Sequence, residues 1–167
     1  MATDAAADRT TGSALTARRV ESEADIQQMR LIRNECREGF AHFNGVISEA
    51  EQRAWWEIEQ GRVSAWLYED EVEFWPHGRT PRIVGFGMLR RGHDGILYTT
   101  CAIYPWCTGH NYGKAILRHL SDQTREKLVG EARRDNPAAC KLHHIEGWHL
   151  DHETERLAVY TRPEVTA

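Results

Sequence analysis

Residues 105–117, Pro-Trp-Cys-Thr-Gly-His-Asn-Tyr-Gly-Lys-Ala-Ile-Leu, are where residue type and spacing point most directly to chemistry. An apolar, strand-like run ends at Pro105, two glycines and an asparagine follow, and an amphipathic helix begins around Tyr112. The first N–H groups of a helix have no internal partner, and its dipole favours negative charge there. A strand, a turn of free amides and a helix therefore form an anion cradle, and a phosphorylated cofactor is the expected occupant. The amides from Gly109 to Gly113 would face it, with positive charge nearby from His110, Lys114 and Arg118.

The elements that must position this turn can be read on either side of it. Residues 1–16 are rich in Ala, Thr, Asp and Ser without the apolar core of a secretory signal, and are expected to be a disordered tail. A first edge strand is expected from Ala17, and Ser22 with Asp25 resembles a capping box opening a helix with Ile26, Met29 and Ile32 on one face. Phe40, His42, Phe43 and Asn44 then fall in a loop, either clamped to the core or facing a substrate. Ser48 with Glu51 opens a second helix, with Ala54, Trp55 and Ile58 as its apolar stripe and an end near Gly61.

Residues 63–68 and 82–90 read as strands of a long-looped hairpin, with Trp75, Pro76, His77, Gly78 and Arg79 at its tip. A third strand over 96–103 leads into the anion cradle, and the helix after it is expected over 111–127. Residues 128–133 form a strand, Pro137 stands in the first turn of a fourth helix ending at Gly147, and 148–150 with 156–160 close the chain as a hairpin. The fold class is α/β: a mixed, mostly antiparallel sheet flanked by about four helices, over residues 17–162, with 163–167 as a short tail.

Composition narrows the function classes. A chain of 167 residues fits one domain, and its net charge of -4 argues against a general nucleic-acid surface, which needs clustered basic charge. No segment approaches the ~20 apolar residues of a membrane span. Cys36, Cys101, Cys107 and Cys140 lack C-x-x-C spacing, which suggests reduced thiols and a cytoplasmic protein. His143, His144, His149 and His152 have no standard ligand spacing, so no metal is expected.

With these residues in view, the chain resembles the GNAT superfamily of acyl-CoA-dependent N-acyltransferases. The signature of that family is a strand, a proline and then Arg/Gln-x-x-Gly-x-Gly/Ala opening a helix. Here the aligned residues are Thr108, Asn111 and Gly113, so two of the three positions depart. The stretch 131–148 looks like the family pattern Glu-Val-Arg-x-x-Asn-x-x-Ala-x-x-Leu-Tyr-x-x-x-Gly-Phe, with the spacing kept. The resemblance implies acetyl-CoA as cosubstrate, bound by Thr108, Gly109, His110, Asn111, Tyr112, Gly113 and Lys114, by Asn136, and by backbone groups of Cys101, Ala102 and Ile103 where the strand splays from its neighbour.

The resemblance also implies roles for two side chains. Glu131 inherits the position of a base, and His143 the position of the tyrosine that protonates the departing thiolate. Imidazolium, with a reference pKa near 6.5, can give that proton near neutral pH. The alternatives are a partly buried histidine bonded to backbone, and a glutamate paired with Arg133 or Arg134. The expected activity is direct acetyl transfer to a primary amine of a small molecule, such as an amino sugar or a nucleotide-linked amino sugar. A protein N-terminus or lysine as acceptor, or a silent acyl-CoA-binding module, are the other readings. Dimers are frequent in the superfamily, so a homodimer is compatible with the sequence.

Overall fold

Local signals start the first two helices where the sequence places them. In the computed structural model, which describes residues 15–74 and 78–165, Ser22 and Asp25 exchange both bonds of a capping box at the head of α1 (Glu23–Glu35). Ser48 and Glu51 do the same for α2 (Glu49–Glu59). Each box satisfies amides that the helix itself cannot. Asp25 also bonds the Arg18 guanidinium at 2.5 Å, tying α1 to the first strand.

The described residues form one sheet of seven strands in the order β1-β2-β3-β4-β5-β7-β6. These are β1 (Thr16–Arg19), β2 (Val63–Phe74), β3 (Gly78–Arg91), β4 (Leu97–Ile103), β5 (Leu128–Arg133), β6 (His149–Glu153) and β7 (Leu157–Arg162). All neighbours are antiparallel except β4 and β5, which run parallel. A parallel neighbour needs a crossover, and α3 (Tyr112–Asp122) supplies it. With α4 (Pro137–Ile145), this is the mixed, mostly antiparallel α/β domain expected.

Helices cover the two faces of the sheet. On one, Ile116, Leu117 and Leu120 of α3 pack with Leu97, Leu128, Ala132, Trp148 and Tyr160. On the other, Ile26, Met29 and Ile32 of α1 pack with Val63, Leu67, Phe86 and Ala102. Each fully buried Leu or Ile contributes ~1.5–3 kcal/mol. The sheet therefore divides the molecule into an α3–α4 side and an α1–α2 side.

Three expectations need correction. The stretch after residue 68 is strand, not loop: β2 and β3 continue as a two-stranded ribbon, with Glu71 opposite Pro81, beyond Glu69, the last residue of β2 paired with β1. In the ribbon Glu69, Glu71 and Glu73 alternate with Val72 and Phe74, a strand pattern that the run of acidic residues obscured. Between Tyr68 and Glu69 the register shifts, and the resulting bulge leaves Val84 without an opposite number. Trp75, Pro76 and His77, expected at the tip, lie outside the described residues. In α2, Ile58 points to solvent, 74% exposed, while Gln52 and Glu59 are the buried positions. Finally, α3 stops at Asp122, because the Thr124 hydroxyl takes the Glu126 amide at 3.1 Å in a turn that competes with helix.

Candidate active site

The parallel pairing of β4 with β5 lasts only from Leu97 and Leu128 to Thr99 and Gly130. Beyond those residues the strands part. Tyr104 donates to Val84 across β3 at 2.8 Å, so the alternation of strand geometry turns the backbone of Ala102 toward Phe86 and that of Cys101 and Ile103 into the gap. Of the three backbone positions expected to be free, Ala102 is thus engaged with β3. The Ile103 carbonyl accepts the Cys36 thiol at 3.0 Å, which leaves Cys101 as the open position. Burial pushes the Cys101 and Cys36 thiols up to about 11, so both are protonated and unreactive at neutral pH.

At the open end of β4 the anion cradle has the backbone its sequence predicts. Gly109 has φ +87° and Asn111 φ +60°, both left-handed, and Asn is the non-glycine residue best able to adopt it. Asn111 occupies the N-cap of α3 without a side-chain cap, and its carbonyl receives the Ala115 amide at 3.1 Å. The amides from Tyr112 to Lys114 therefore point out of the first turn, toward any anion placed there. At Gly113 an added Cβ would stand 3.4 Å from Leu142 Cδ2, so the head of α3 lies close against α4.

Side chains around the cradle are largely committed elsewhere. The Thr108 hydroxyl donates to the Pro105 carbonyl at 3.1 Å. Nδ1 of His110 donates to Cys107 O at 3.1 Å, and its ring stacks on Tyr112, whose hydroxyl donates to Asp70 at 2.7 Å. Lys114 and Arg118 both face Glu146, at 3.8 and 3.1 Å. The positive charge expected to compensate for Thr108 is thus partly neutralised, and the backbone amides are the donors left open.

His143, in the last turns of α4, reaches the sheet where the strands part. An added Cβ on Gly130 would lie 2.5 Å from His143 Nε2 and 3.2 Å from Thr99 Oγ1, so the ring sits under the last paired residues of β4 and β5. The imidazole stacks on Tyr160 at 4.7 Å and meets Trp148 edge-on at 5.2 Å. Its Nδ1 lies 2.8 Å from the Ala139 carbonyl, an acceptor only, so Nδ1 bears the proton. Burial holds the ring below the usual histidine range, against a raising contribution from the Ala139 bond. The resting ring is neutral, with Nε2 a lone pair facing the strand.

Glu131, the first residue of β5 past the parting point, emerges on the opposite, α1–α2 side. Neither Arg133 nor Arg134 pairs with it: Arg133 chelates Asp135 and donates to the Glu38 carbonyl at 3.0 Å, and Arg134 stands 3.7 Å from Glu153. Its partner is His42, Nε2 to Oε2 at 2.5 Å. Sequence reasoning placed His42 in a loop and missed this contact. In the same connection Arg33 lies over Phe40 at 3.8 Å and Phe40 stacks on Phe86, whereas Phe43 is 56% exposed. One aromatic anchors the loop and the other faces outward.

An open, polar depression lies between the α1–α2 connection and the head of α4, lined by Glu38, Gly39, Asn44, Arg133, Asp135 and Asn136, with neither His42 nor Glu131 in its lining. Asn136 uses Oδ1 to cap α4 on the Ala139 amide at 3.2 Å. Its Nδ2 lies within 3.4 Å of where a Gly39 side chain would begin, so a glycine there keeps the depression open.

Residues 27–148 match the acetyltransferase (GNAT) family. No curated protein sequence matches the chain. Similar solved structures include a phosphinothricin acetyltransferase of Sinorhizobium meliloti in complex with AcCoA, at TM-score 0.71 and 17% identity, covering 90% of this chain and 88% of that one. Another is a spermidine N-acetyltransferase of Vibrio cholerae in complex with CoA and spermine, at TM-score 0.71 and 14% identity, covering 90% of this chain and 95% of that one. A third is yncA of Salmonella typhimurium with acetyl-CoA, at TM-score 0.70 and 18% identity, covering 90% and 94%. At such identities the likeness speaks for the fold.

Proposed function

The chain belongs to the acetyltransferase (GNAT) family and is an acetyl-CoA-dependent acetyltransferase, and we propose that its acceptor is the primary amine of a small molecule, such as an amino sugar or a nucleotide-linked amino sugar. The supporting observation is the parting of β4 and β5 after Thr99 and Gly130, with an amide cradle and His143 on one face and the Glu131–His42 pair on the other. A donor entering from the α3–α4 side and an acceptor entering from the α1–α2 side would meet in that gap. The similar structures from Sinorhizobium and Vibrio act on small amines by their names, which agrees with an acceptor of this size.

The residues present fit CoA. The amides of Gly109 to Lys114 suit a pyrophosphate, and the free backbone of Cys101 suits an amide-bearing arm laid along β4. When bound, acetyl-CoA supplies a thioester carbonyl activated for attack. Glu131 places negative charge on the acceptor side, which favours an approaching ammonium. His143 inherits the acid role: neutral at rest with its proton on Nδ1, it would have to take up a proton at Nε2 before giving one to the sulfur.

The test is CoA release from acetyl-CoA, followed with a thiol reagent, across amino sugars, nucleotide-linked amino sugars, polyamines, amino acids and peptides. Release with small amines is expected. Release only with peptides would move the acceptor to a protein N-terminus or lysine. Binding of acetyl-CoA by calorimetry without release from any amine would mark a silent binding module.

A further inference from the structure

We propose that His42 is the general base of this acetyl transfer and that Glu131 is its positioning residue; the proposal rests on the transfer reading above and deepens it. Oε2 of Glu131 lies 2.5 Å from Nε2 of His42. An ionised carboxylate only accepts, so the shared proton belongs to Nε2, and the neutral ring carries its free lone pair on Nδ1. The His42 side chain is 67% exposed and that of Glu131 25%, so an amine arriving from solvent meets the ring before the carboxylate.

Chemistry favours the same order. An imidazole is the stronger base and takes a proton from an ammonium more readily than a carboxylate does. The other charged and titratable groups near the pair have partners of their own. Arg133 is held by Asp135 and the Glu38 carbonyl, and the Tyr98 hydroxyl of β4 donates to Asp94 at 2.8 Å. Glu131 is thereby left to orient one imidazole and to stabilise the cation formed on it. The position is specific as well: Glu131 follows Gly130, the last residue paired with β4, so the imidazole stands at the edge of the gap.

The step balances as follows. One N–H bond of the acceptor ammonium breaks and an H–Nδ1 bond forms, giving an imidazolium facing the Glu131 carboxylate. The freed amine forms a C–N bond to the thioester carbonyl carbon, the C–S bond breaks, and a second proton passes from nitrogen to sulfur. The products are the acetamide and the CoA thiol. His42 then releases its proton to solvent, which accounts for the single proton the reaction sets free.

The experiment uses the full chain and the best amine of the panel described above. His42→Gln should lower kcat/KM for that amine by about 10²-fold or more and remove the acid limb of its pH profile. Calorimetric affinity for acetyl-CoA should stay at the wild-type value. Glu131→Gln, which keeps the imidazole, should cost less, about 10-fold. In ¹⁵N–¹H correlation spectra the Nε2–H of His42 should be slowed in exchange by its bond to Glu131 in the wild type and lose that protection in Glu131→Ala, a readout that needs no acceptor. The reverse order of severity would return the base to Glu131 and overturn the proposal, as would a His42→Gln protein within a few-fold of wild type. A wild type inert toward every amine would instead defeat the transfer reading, and the base with it.

Discussion

Gly130 is the residue on which the two faces of the site turn. It is the last partner of β4, and the space a side chain would fill is taken by His143, whose Nε2 would stand 2.5 Å from an added Cβ. The imidazole has little freedom to withdraw, because Nδ1 is fastened to Ala139 and the ring lies on Tyr160. Gly130→Ala should therefore cost about 1–3 kcal/mol of stability through overpacking. It should also lower turnover at saturating substrate, since the ring that moves is the one proposed to protonate the sulfur. Urea unfolding with steady-state kinetics checks both; an alanine variant as stable and as fast as wild type would show that the ring does not fill that space. Pattern 131–148 drew attention to His143, but the glycine that admits it has no recognisable motif. The Glu131–His42 contact was hidden for a similar reason, since it joins residues 89 positions apart and only the folded sheet brings them together.

At the scale of elements, what the sequence revealed is what is decided within a few residues. The capping boxes at Ser22 and Ser48, the left-handed Asn111 and the proline at the head of α4 all act through neighbouring backbone, and each is found where its residues predict. The β2–β3 ribbon was missed because its acidic run obscured the alternation, and the outward face of α2 because partners outside the segment decide it. Ile58 looks like core in any helical wheel, yet the buried Glu59 beside it bonds Arg62 at 2.7 Å and claims the inner face. The α1 cap tests how far such local devices matter. Burial pushes the Asp25 carboxyl up, but bonds from Arg18, Ser22 and Glu21 outweigh it and hold it well below the usual carboxylate range. Asp25→Ala removes the carboxylate half of the capping box and leaves Arg18 without that partner, so a loss of about 1–3 kcal/mol is expected by denaturant titration. The loss should vanish at acid pH, where the wild-type carboxylate is itself protonated.

For the molecule as a whole, these groups divide its acid response into two windows. Burial holds both His143 and His119 below the ordinary histidine range; His119 lies under the sheet with Nδ1 2.7 Å from the Tyr68 hydroxyl. An unfolded histidine takes up a proton near pH 6.5, whereas these folded rings resist it. The unfolded chain therefore binds more protons below that pH, and by linkage stability is full above about 6.5 and declines as pH falls toward the lowered values. Asp25 has the opposite sense of charge but the same direction of response. Its folded value is depressed, so its contribution is complete above about pH 4 and is lost only below. Melting temperature measured from pH 8 downward should thus hold steady, begin to fall below about pH 6.5, and fall further below about pH 4. His143→Gln should lower the melting temperature throughout by removing the stack on Tyr160, yet flatten the first fall. Asp25→Ala should leave the first fall intact and reduce the second, to which the other carboxylates held below their usual range also contribute. Should His143→Gln shift the whole curve without changing its shape, the buried imidazole would not be the group that titrates, and the neutral resting ring assigned to the site would have to be abandoned.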